Sequence, residues 1–160
     1  MTTGGRASGL GVGGASSGFT MCDLARSVAA GDVSALPLLL RELHPRVSAY
    51  SRARARHVGH PFSDADRLAL DACRSILAAL SAPSGADRPF LRLAYSLAAD
   101  TVDTRFTGRG DATLTRRQQD ILILRTIVGL DPEQTAVAMA LSPSRVRVEQ
   151  HAALSSLRAA

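Results

Sequence analysis

Two helix-start signals stand eleven residues apart in the sequence, and they constrain the fold more than any other feature. Asp131-Pro132 and Ser142-Pro143 each place a capping side chain directly before a proline, which suits the first turn of a helix. The interval between them holds one short helix, 132–140, and a tight turn. Two helices joined so closely must cross at a steep angle, as in a helix-turn-helix.

A third helix is predicted just before this pair. Thr115-x-x-Gln118 has the pattern of a capping box, and Gly129 and Leu130 mark the end of the helix that it opens. The segment 114–160 is therefore predicted to form a three-helix unit.

The rest of the chain also has a helical pattern. It is rich in Ala, Leu and Arg, and its apolar residues recur at helical spacing rather than in alternation. We predict an all-α protein of two small helical domains, with helices at 22–30, 33–57, 63–80, 88–106, 116–128, 132–140 and 143–157. The predicted organisation is a flexible Gly/Ser-rich tail at 1–20, a first domain at 21–106, a short linker at 107–113 and a second domain at 114–160.

The charge of the chain favours a polyanionic partner. The sequence has 19 arginines, no lysine and a formal net charge of +5, although the segment 61–113 carries more acidic than basic residues. Such an excess attracts phosphates irrespective of sequence, so nucleic acid is the favoured partner and a membrane surface is a weaker alternative.

Cysteine usage and hydropathy bear on the compartment. Cys22 and Cys73 are too few for a disulfide framework, and no apolar run has the pattern of a signal peptide or a membrane span. A cytoplasmic location is therefore predicted, and no membrane partner is expected.

The last predicted helix has two distinct faces. Its predicted core stripe consists of Val146, Ala153, Leu154 and Leu157. The outward face consists of Ser144, Val148, His151, Ala152 and Ser155. Arg145 and Arg147 flank that outward face near the start of the helix, where a recognition helix enters a major groove most deeply. The alternative is that these arginines only solubilise a surface helix, but the two capped helices at fixed spacing favour DNA reading.

These residues resemble a known family. The stretch 114–158, LTRRQQDILILRTIVGLDPEQTAVAMALSPSRVRVEQHAALSSLR, resembles region four of the extracytoplasmic-function (ECF) RNA polymerase sigma factors, which binds the −35 promoter element. The stretches 25–55 and 87–103 resemble the opening helices of region two and its segment that opens and reads the −10 element. The all-Arg usage suits a GC-rich bacterium, and the overall pattern resembles the orphan members encoded beside antimycin-type biosynthetic genes.

The resemblance implies a transcription initiation factor without catalytic activity or cofactor, whose partners are core RNA polymerase and promoter DNA. It implies −35 contacts by Pro143, Ser144, Arg145, Arg147, Val148 and His151. It implies −10 contacts by Arg88, Arg92, Tyr95, Thr101 and Arg105. It implies polymerase docking by the helix 63–80, with Asp66, Leu70 and Asp71, and capture of an unstacked base by the loop 81–87.

The sequence departs from the family pattern at several positions. Arg67 follows Asp66, and Leu70-Asp71 replaces the usual Gln-Glu of the docking helix. Asp100 and Thr101 replace polar or basic residues of the −10 segment. Ala140 replaces the turn glycine of the helix-turn-helix, at a cost of about 1 kcal/mol if the backbone there has a positive φ.

The sequence also leaves other functions open. The main rivals are a stand-alone helix-turn-helix regulator and a non-DNA-binding interaction protein. His57-x-x-His60 with Cys73 lacks a fourth ligand, so no metal is expected. There is no nucleophile-elbow motif and no Gly-rich phosphate loop, so no enzyme is expected. Nothing in the sequence indicates an anti-sigma factor.

The final residues suggest one further partner. Ala159 and Ala160 resemble the C-terminal tag that the bacterial Clp protease reads, which predicts a degradation signal at a frayed helix end. In a chain so rich in alanine, chance is the alternative explanation.

Overall fold

The structure, a computed structural model, describes residues 15–57, 61–83, 87–106 and 113–160. Within these ranges the regular structure is entirely helical, which confirms the all-α prediction. The α-helices are α1 Ala15–Ala29, α2 Leu36–His57, α3 Phe62–Leu80, α4 Phe90–Arg105, α5 Arg116–Leu122, α6 Pro132–Met139 and α7 Pro143–Ala159. A 3-10 turn, Val33–Ala35, leads into α2, and a π-helix, Ile123–Val128, continues α5.

Helix α2 provides the central stripe of the N-terminal half, which comprises α1 to α4. Every third or fourth residue of α2 is fully buried, which is the spacing of one helical face: Leu39, Leu43, Val47 and Tyr50. These side chains form one cluster with Ala72 and Ile76 of α3 and Ala94 of α4. Met21 and Ala25 of α1 belong to the same cluster, so all four helices share a single apolar core.

Some predicted boundaries fall on residues that the structure does not describe. Helix α1 begins at Ala15, inside the predicted tail, of which 1–14 lie outside the described residues. Residues 84–86 of the predicted base-capturing loop and 107–112 of the predicted linker also lie outside them. The domain boundaries stay predictions.

The helices of the C-terminal half, α5 to α7, begin where the capping residues predict. Asp131 Oδ1 accepts a hydrogen bond from the Gln134 backbone N at 2.7 Å, and Gln134 Oε1 accepts one from Asp131 N at 3.0 Å. Thr115 and Gln118 form the same reciprocal box, and Ser142 Oγ accepts from the Arg145 backbone N. Each start satisfies backbone N–H groups that the helix itself leaves unpaired.

The ends of these helices depend on left-handed backbone. Gly129 ends the π-helix with φ of 83°, as its type and position predict. Ala140 ends α6 with φ of 53°, and the next amide, Leu141 N, bonds back to Ala136 O at 2.9 Å. The sharp turn of the helix-turn-helix therefore forces an alanine into a conformation that favours glycine.

The core of this half differs in one respect from the predicted stripe of α7. Val146 and Ala153 are fully buried, and Val146 packs with Ile121 and Ala136. Leu154 and Leu157 were predicted to be buried but are exposed, because the apolar cluster of this half includes only Val146 of α7. Leu157 lies on an open groove instead.

The two halves share one core. The buried cluster that contains the α2 and α4 side chains also includes Ile123 and Leu124 of the π-helix, Leu130 just before α6, and Ala138 of α6. The π-helix packs on α2 and α6 packs on α4. The first helix of the helix-turn-helix therefore covers one side of α4.

Ala140→Gly should stabilise the protein by about 0.5–1 kcal/mol, because glycine relieves the left-handed strain and only part of the gain is lost to a more flexible unfolded chain. Urea denaturation measures the difference. The matched control is Ala152→Gly, at an exposed position inside α7, which should destabilise by about 1 kcal/mol. Equal destabilisation by both changes would contradict this account of the turn.

Candidate nucleic-acid interface

The outward face of α7 is exposed as predicted. Ser144, Val148, His151, Ala152 and Ser155 are all exposed, and Pro143 is half-buried at the start of the helix. The Ser142 cap fixes where this face begins. An exposed helical face of this length fits the width of a DNA major groove.

Arg145 lies at the edge of this face that adjoins α5. Its Nη2 is 2.6 Å from Glu149 Oε1, one helical turn further along. The other carboxylate oxygen of Glu149 accepts a hydrogen bond from Gln118 Nε2 at 3.3 Å. Glu149 is only 13% exposed, whereas Arg145 is 55% exposed, so a mostly buried carboxylate holds a solvent-facing guanidinium.

Arg147 lies at the opposite edge of the face. Two residues advance a helix by about 200°, so Arg145 and Arg147 are about 160° apart around α7. Arg147 Nη2 donates to Glu133 Oε1 at 2.9 Å, and Glu133 lies in the first turn of α6. Both side chains of this pair are well exposed, at 59% and 62%.

A third arginine ties α7 to the preceding helix, and the sequence did not reveal it. Arg125 Nε donates to Gln150 Oε1 at 3.1 Å, while its Nη1 donates to the carbonyl oxygen of Leu130. Because the π-helix adds an extra residue to its turn, the usual 3.6 period would not place Arg125 correctly. This contact helps to set the angle at which α7 leaves the turn.

The predicted −10 residues do not form one surface. Arg92 and Tyr95 line the cleft between α4 and the C-terminal half, whereas Thr101 and Arg105 line a groove between α4 and α3. Positions 92 and 101 are nine residues apart and so lie about 180° apart on a helix. Arg88, before the start of α4, lines a third surface beside α1.

Tyr95 is not accessible in this arrangement. It is 3% exposed, and its ring packs edge-on against Tyr50 with ring centroids 5.5 Å apart. Burial raises the pKa of its phenol above the ordinary range. Tyr50 belongs to α2 of the same half, while Ala138 and Met139 of the C-terminal half line the cleft beside Tyr95.

An ion-pair cluster with a buried centre and an exposed edge joins the two halves beside Tyr95. We call it the Arg54 cluster; its members are Tyr50, Arg54, Asp103, Arg116 and Asp120. The Arg54 guanidinium donates to both oxygens of Asp103 at 3.0 Å and also to Asp120 Oδ1. Tyr50 Oη donates to Asp120 at 3.0 Å, and Arg116 pairs with Asp103.

The Arg54 cluster spans three helices. Arg54 and Tyr50 belong to α2, Asp103 to α4, and Asp120 and Arg116 to α5. Burial, followed by the charge of Asp120, raises the pKa of Tyr50 above its ordinary range, so the hydroxyl keeps the proton that it donates. The cluster therefore fixes the C-terminal half against the N-terminal half by directed hydrogen bonds.

The predicted polymerase-docking residues lie on α3. Leu70 is exposed, Asp71 pairs with Arg74 at 3.0 Å, and Asp66 accepts two hydrogen bonds from Arg52 at 2.6 and 2.9 Å. The hydrogen bond from Arg52 lowers the pKa of Asp66. Asp66 is thus already engaged by α2.

Three other predictions concern metals, membranes and the degradation signal. In the described part of the chain, no three His, Cys, Asp or Glu side chains group as metal ligands, while His60 and the His57 side chain lie outside it. None of the described helices is long and apolar enough to span a bilayer. Ala159 and Ala160 are exposed at the end of α7, and their role as a protease signal stays a prediction.

The chain is similar in sequence to proteins of a known family. Residues 112–159 match the family described as Sigma-70, region 4. The chain is also 33% identical to the ECF RNA polymerase sigma factor SigD of Mycobacterium tuberculosis, over 81% of this chain and 78% of that relative. The chain belongs to the ECF sigma factors. It therefore acts in promoter recognition, with core RNA polymerase and promoter DNA as its partners.

Two further likenesses agree with the family. This ECF sigma factor is 28% identical to the ECF RNA polymerase sigma factor ShbA of Streptomyces griseus, over 81% of this chain and 88% of that relative. The solved structure of CnrH in complex with the cytosolic domain of CnrY has the same fold, with a TM-score of 0.68 at 21% identity, over 88% of this chain and 96% of that chain. The resemblance to antimycin-type orphan members stays a prediction.

Asp120→Ala should destabilise this sigma factor by about 3 kcal/mol, because it leaves Arg54 buried with one carboxylate fewer and removes the acceptor of Tyr50. Urea denaturation measures the loss. The control is Asp23→Ala, which removes an exposed pair with Arg26 and should change the free energy of unfolding by less than about 0.5 kcal/mol. If Asp120→Ala leaves the free energy of unfolding unchanged, the Arg54 cluster does not stabilise the contact between the halves.

Proposed function

We propose that this ECF sigma factor directs core RNA polymerase by placing α7 in the major groove of the −35 element and α4 against the −10 element. The observation that carries the proposal is the exposed face of α7, which begins at a capped turn and has an arginine at each edge. Arginine donates two hydrogen bonds to guanine in the major groove, and exposed Val148 suits a thymine methyl.

The start of α7 also favours contact with the DNA backbone. The N-terminus of a helix carries a partial positive charge, which attracts phosphate. Ser144 and Pro143 lie there, and Arg145 and Arg147 follow within one turn. Phosphate contacts of this kind orient the helix, while one arginine guanidinium and Val148 read the bases.

Simultaneous contact with both promoter elements requires the two halves to separate. Helix α6 packs on α4 and on α7, and packed helices lie 8–10 Å apart, so α4 and α7 lie within about 20 Å of each other at their closest approach. Positions −35 and −10 are 25 base pairs apart, or about 85 Å in B-form DNA. The closed arrangement therefore fits the protein before it engages a promoter, and the cleft side of α4, with Arg92, becomes available to the −10 element on opening.

Polymerase docking is assigned to α3. Leu70 is a large apolar side chain exposed on that helix, and Asp71 lies next to it. Exposed apolar residues with charged neighbours are typical of protein interfaces. We infer that Leu70 and Asp71 contact core polymerase, while Asp66 contributes only if it leaves Arg52.

Transcription in vitro, with purified core polymerase and this protein as the sole specificity factor on a library of genomic fragments, tests the proposal. The expected transcripts start downstream of one shared pair of −35 and −10 sequences. Arg145→Ala should reduce these transcripts, because it removes a base contact of about 1–3 kcal/mol, while Arg158→Ala, an equal charge change at the far end of α7, should leave them nearly unchanged.

Two outcomes would contradict the proposal. Promoter binding by the free chain without any polymerase-dependent transcript would favour a stand-alone regulator. Normal transcription by Arg147→Ala and Arg145→Ala together would remove α7 from the −35 contact.

A further inference from the structure

The two arginines that flank the outward face of α7 are held in different ways. The partner of Arg145 is Glu149, which is mostly buried and receives a second hydrogen bond from Gln118. The partner of Arg147 is Glu133, which is as exposed as the arginine itself. Exposed ion pairs hold their side chains weakly, whereas a buried carboxylate with two hydrogen-bond partners has little freedom to move.

Gln118 is itself fixed, because it is part of the capping box of α5. Its Oε1 accepts a hydrogen bond from the Thr115 backbone N at 3.1 Å, while its Nε2 points to Glu149. A continuous set of hydrogen bonds therefore runs from the start of α5 through Gln118 and Glu149 to Arg145. This set orients one guanidinium at the DNA-facing edge of α7 before any DNA binds.

Orientation matters more for base reading than for phosphate binding. A guanine presents O6 and N7 in one fixed geometry, and a guanidinium that is wrongly oriented cannot donate hydrogen bonds to both atoms. A phosphate accepts hydrogen bonds from many directions and carries no sequence information. Glu149 engages Nη2 of Arg145, which leaves other N–H groups of the fork to donate to a base edge.

The charge of Glu149 is otherwise unfavourable at this place. A carboxylate near the DNA backbone repels phosphate and lowers affinity for every sequence. If Glu149 has a positioning role, removal of its negative charge should have two different effects. Discrimination between promoter sequences should fall, while affinity for unrelated DNA should stay the same or rise.

We propose that Glu149, held by Gln118, is a positioning residue that sets Arg145 to read one base pair of the −35 element, and that Arg147 mainly binds backbone phosphate. The inference rests on the proposed placement of α7 in the −35 major groove. It adds that specificity at one base pair depends on side chains that do not themselves touch DNA.

The test compares Glu149→Gln with Glu133→Gln in holoenzyme bound to promoter fragments that carry every single-base change in the −35 element. Each variant removes one negative charge from the partner of a flanking arginine. Glu149→Gln should lower discrimination at one base pair by about 5- to 150-fold, which corresponds to the loss of one bidentate contact. Glu133→Gln should change the affinity for all fragments by the same factor.

Gln118→Glu provides a second variant that spares the fold. Glutamate keeps the oxygen that accepts from Thr115 N in the capping box, but it cannot donate to Glu149 and places a like charge 3.3 Å from its carboxylate. The ratio of matched to mismatched binding should fall as it does for Glu149→Gln, and a uniform effect of the added charge cancels in that ratio. In an Arg145→Ala background, neither change should lower discrimination further.

The outcomes separate this inference from the function on which it rests. If Arg145→Ala lowers discrimination but Glu149→Gln does not, Glu149 has no positioning role and the placement of α7 still holds. If Glu149→Gln and Glu133→Gln affect every fragment alike, the inference is equally overturned. If neither Arg145→Ala nor Arg147→Ala changes promoter binding, the placement of α7 itself fails.

Discussion

The burial of Arg54 is the constraint on which the arrangement of the whole chain depends. Its side chain is 9% exposed, and a guanidinium so far from water is tolerated only when carboxylates and other acceptors surround it. Asp103 supplies one acceptor from the N-terminal half and Asp120 the other from the C-terminal half. Neither half alone supplies all the acceptors that the Arg54 guanidinium needs. The buried charge of Arg54 therefore specifies how the two halves pack together.

The same contact determines which surfaces face solvent. With Asp120 held by Arg54 and Tyr50, the π-helix packs on α2 and α6 packs on α4. Tyr95 and the cleft side of α4 are then covered, while the outward face of α7 stays exposed. Under the proposed function, this arrangement leaves the −35-binding face of α7 accessible and covers the −10-binding side of α4 until the halves part. A buried polar cluster suits such a contact, because water and DNA phosphates can replace its partners when it opens.

Local features of the fold could be predicted from the sequence, whereas the contact between the halves could not. Asp131, Ser142 and Thr115 cap helices through neighbours three residues away, and Ala140 has the left-handed backbone that a tight turn demands. The Arg54 cluster joins residues up to 70 positions apart, and its arginine lies in an Arg-x-Arg-x-Arg run that is typical of a solvated surface. Arg92 and Thr101 could have been placed on opposite sides of α4 from their spacing alone. The resemblance to the family instead led us to predict that the −10 residues form one surface. The burial of Leu154 and Leu157 was wrongly predicted, because a helical wheel shows a face but not where its packing partner ends.

A distance between the two halves, measured before and after promoter binding, tests whether they separate. Spin labels on Arg41→Cys of α2 and Arg158→Cys of α7 occupy exposed positions in different halves and outside the proposed DNA and polymerase contacts, once Cys22 and Cys73 have been replaced. We expect a single distance in the free chain and an increase of tens of ångströms in holoenzyme bound to a promoter with both elements. An unchanged distance in a complex that protects both the −35 and the −10 element would contradict this separation.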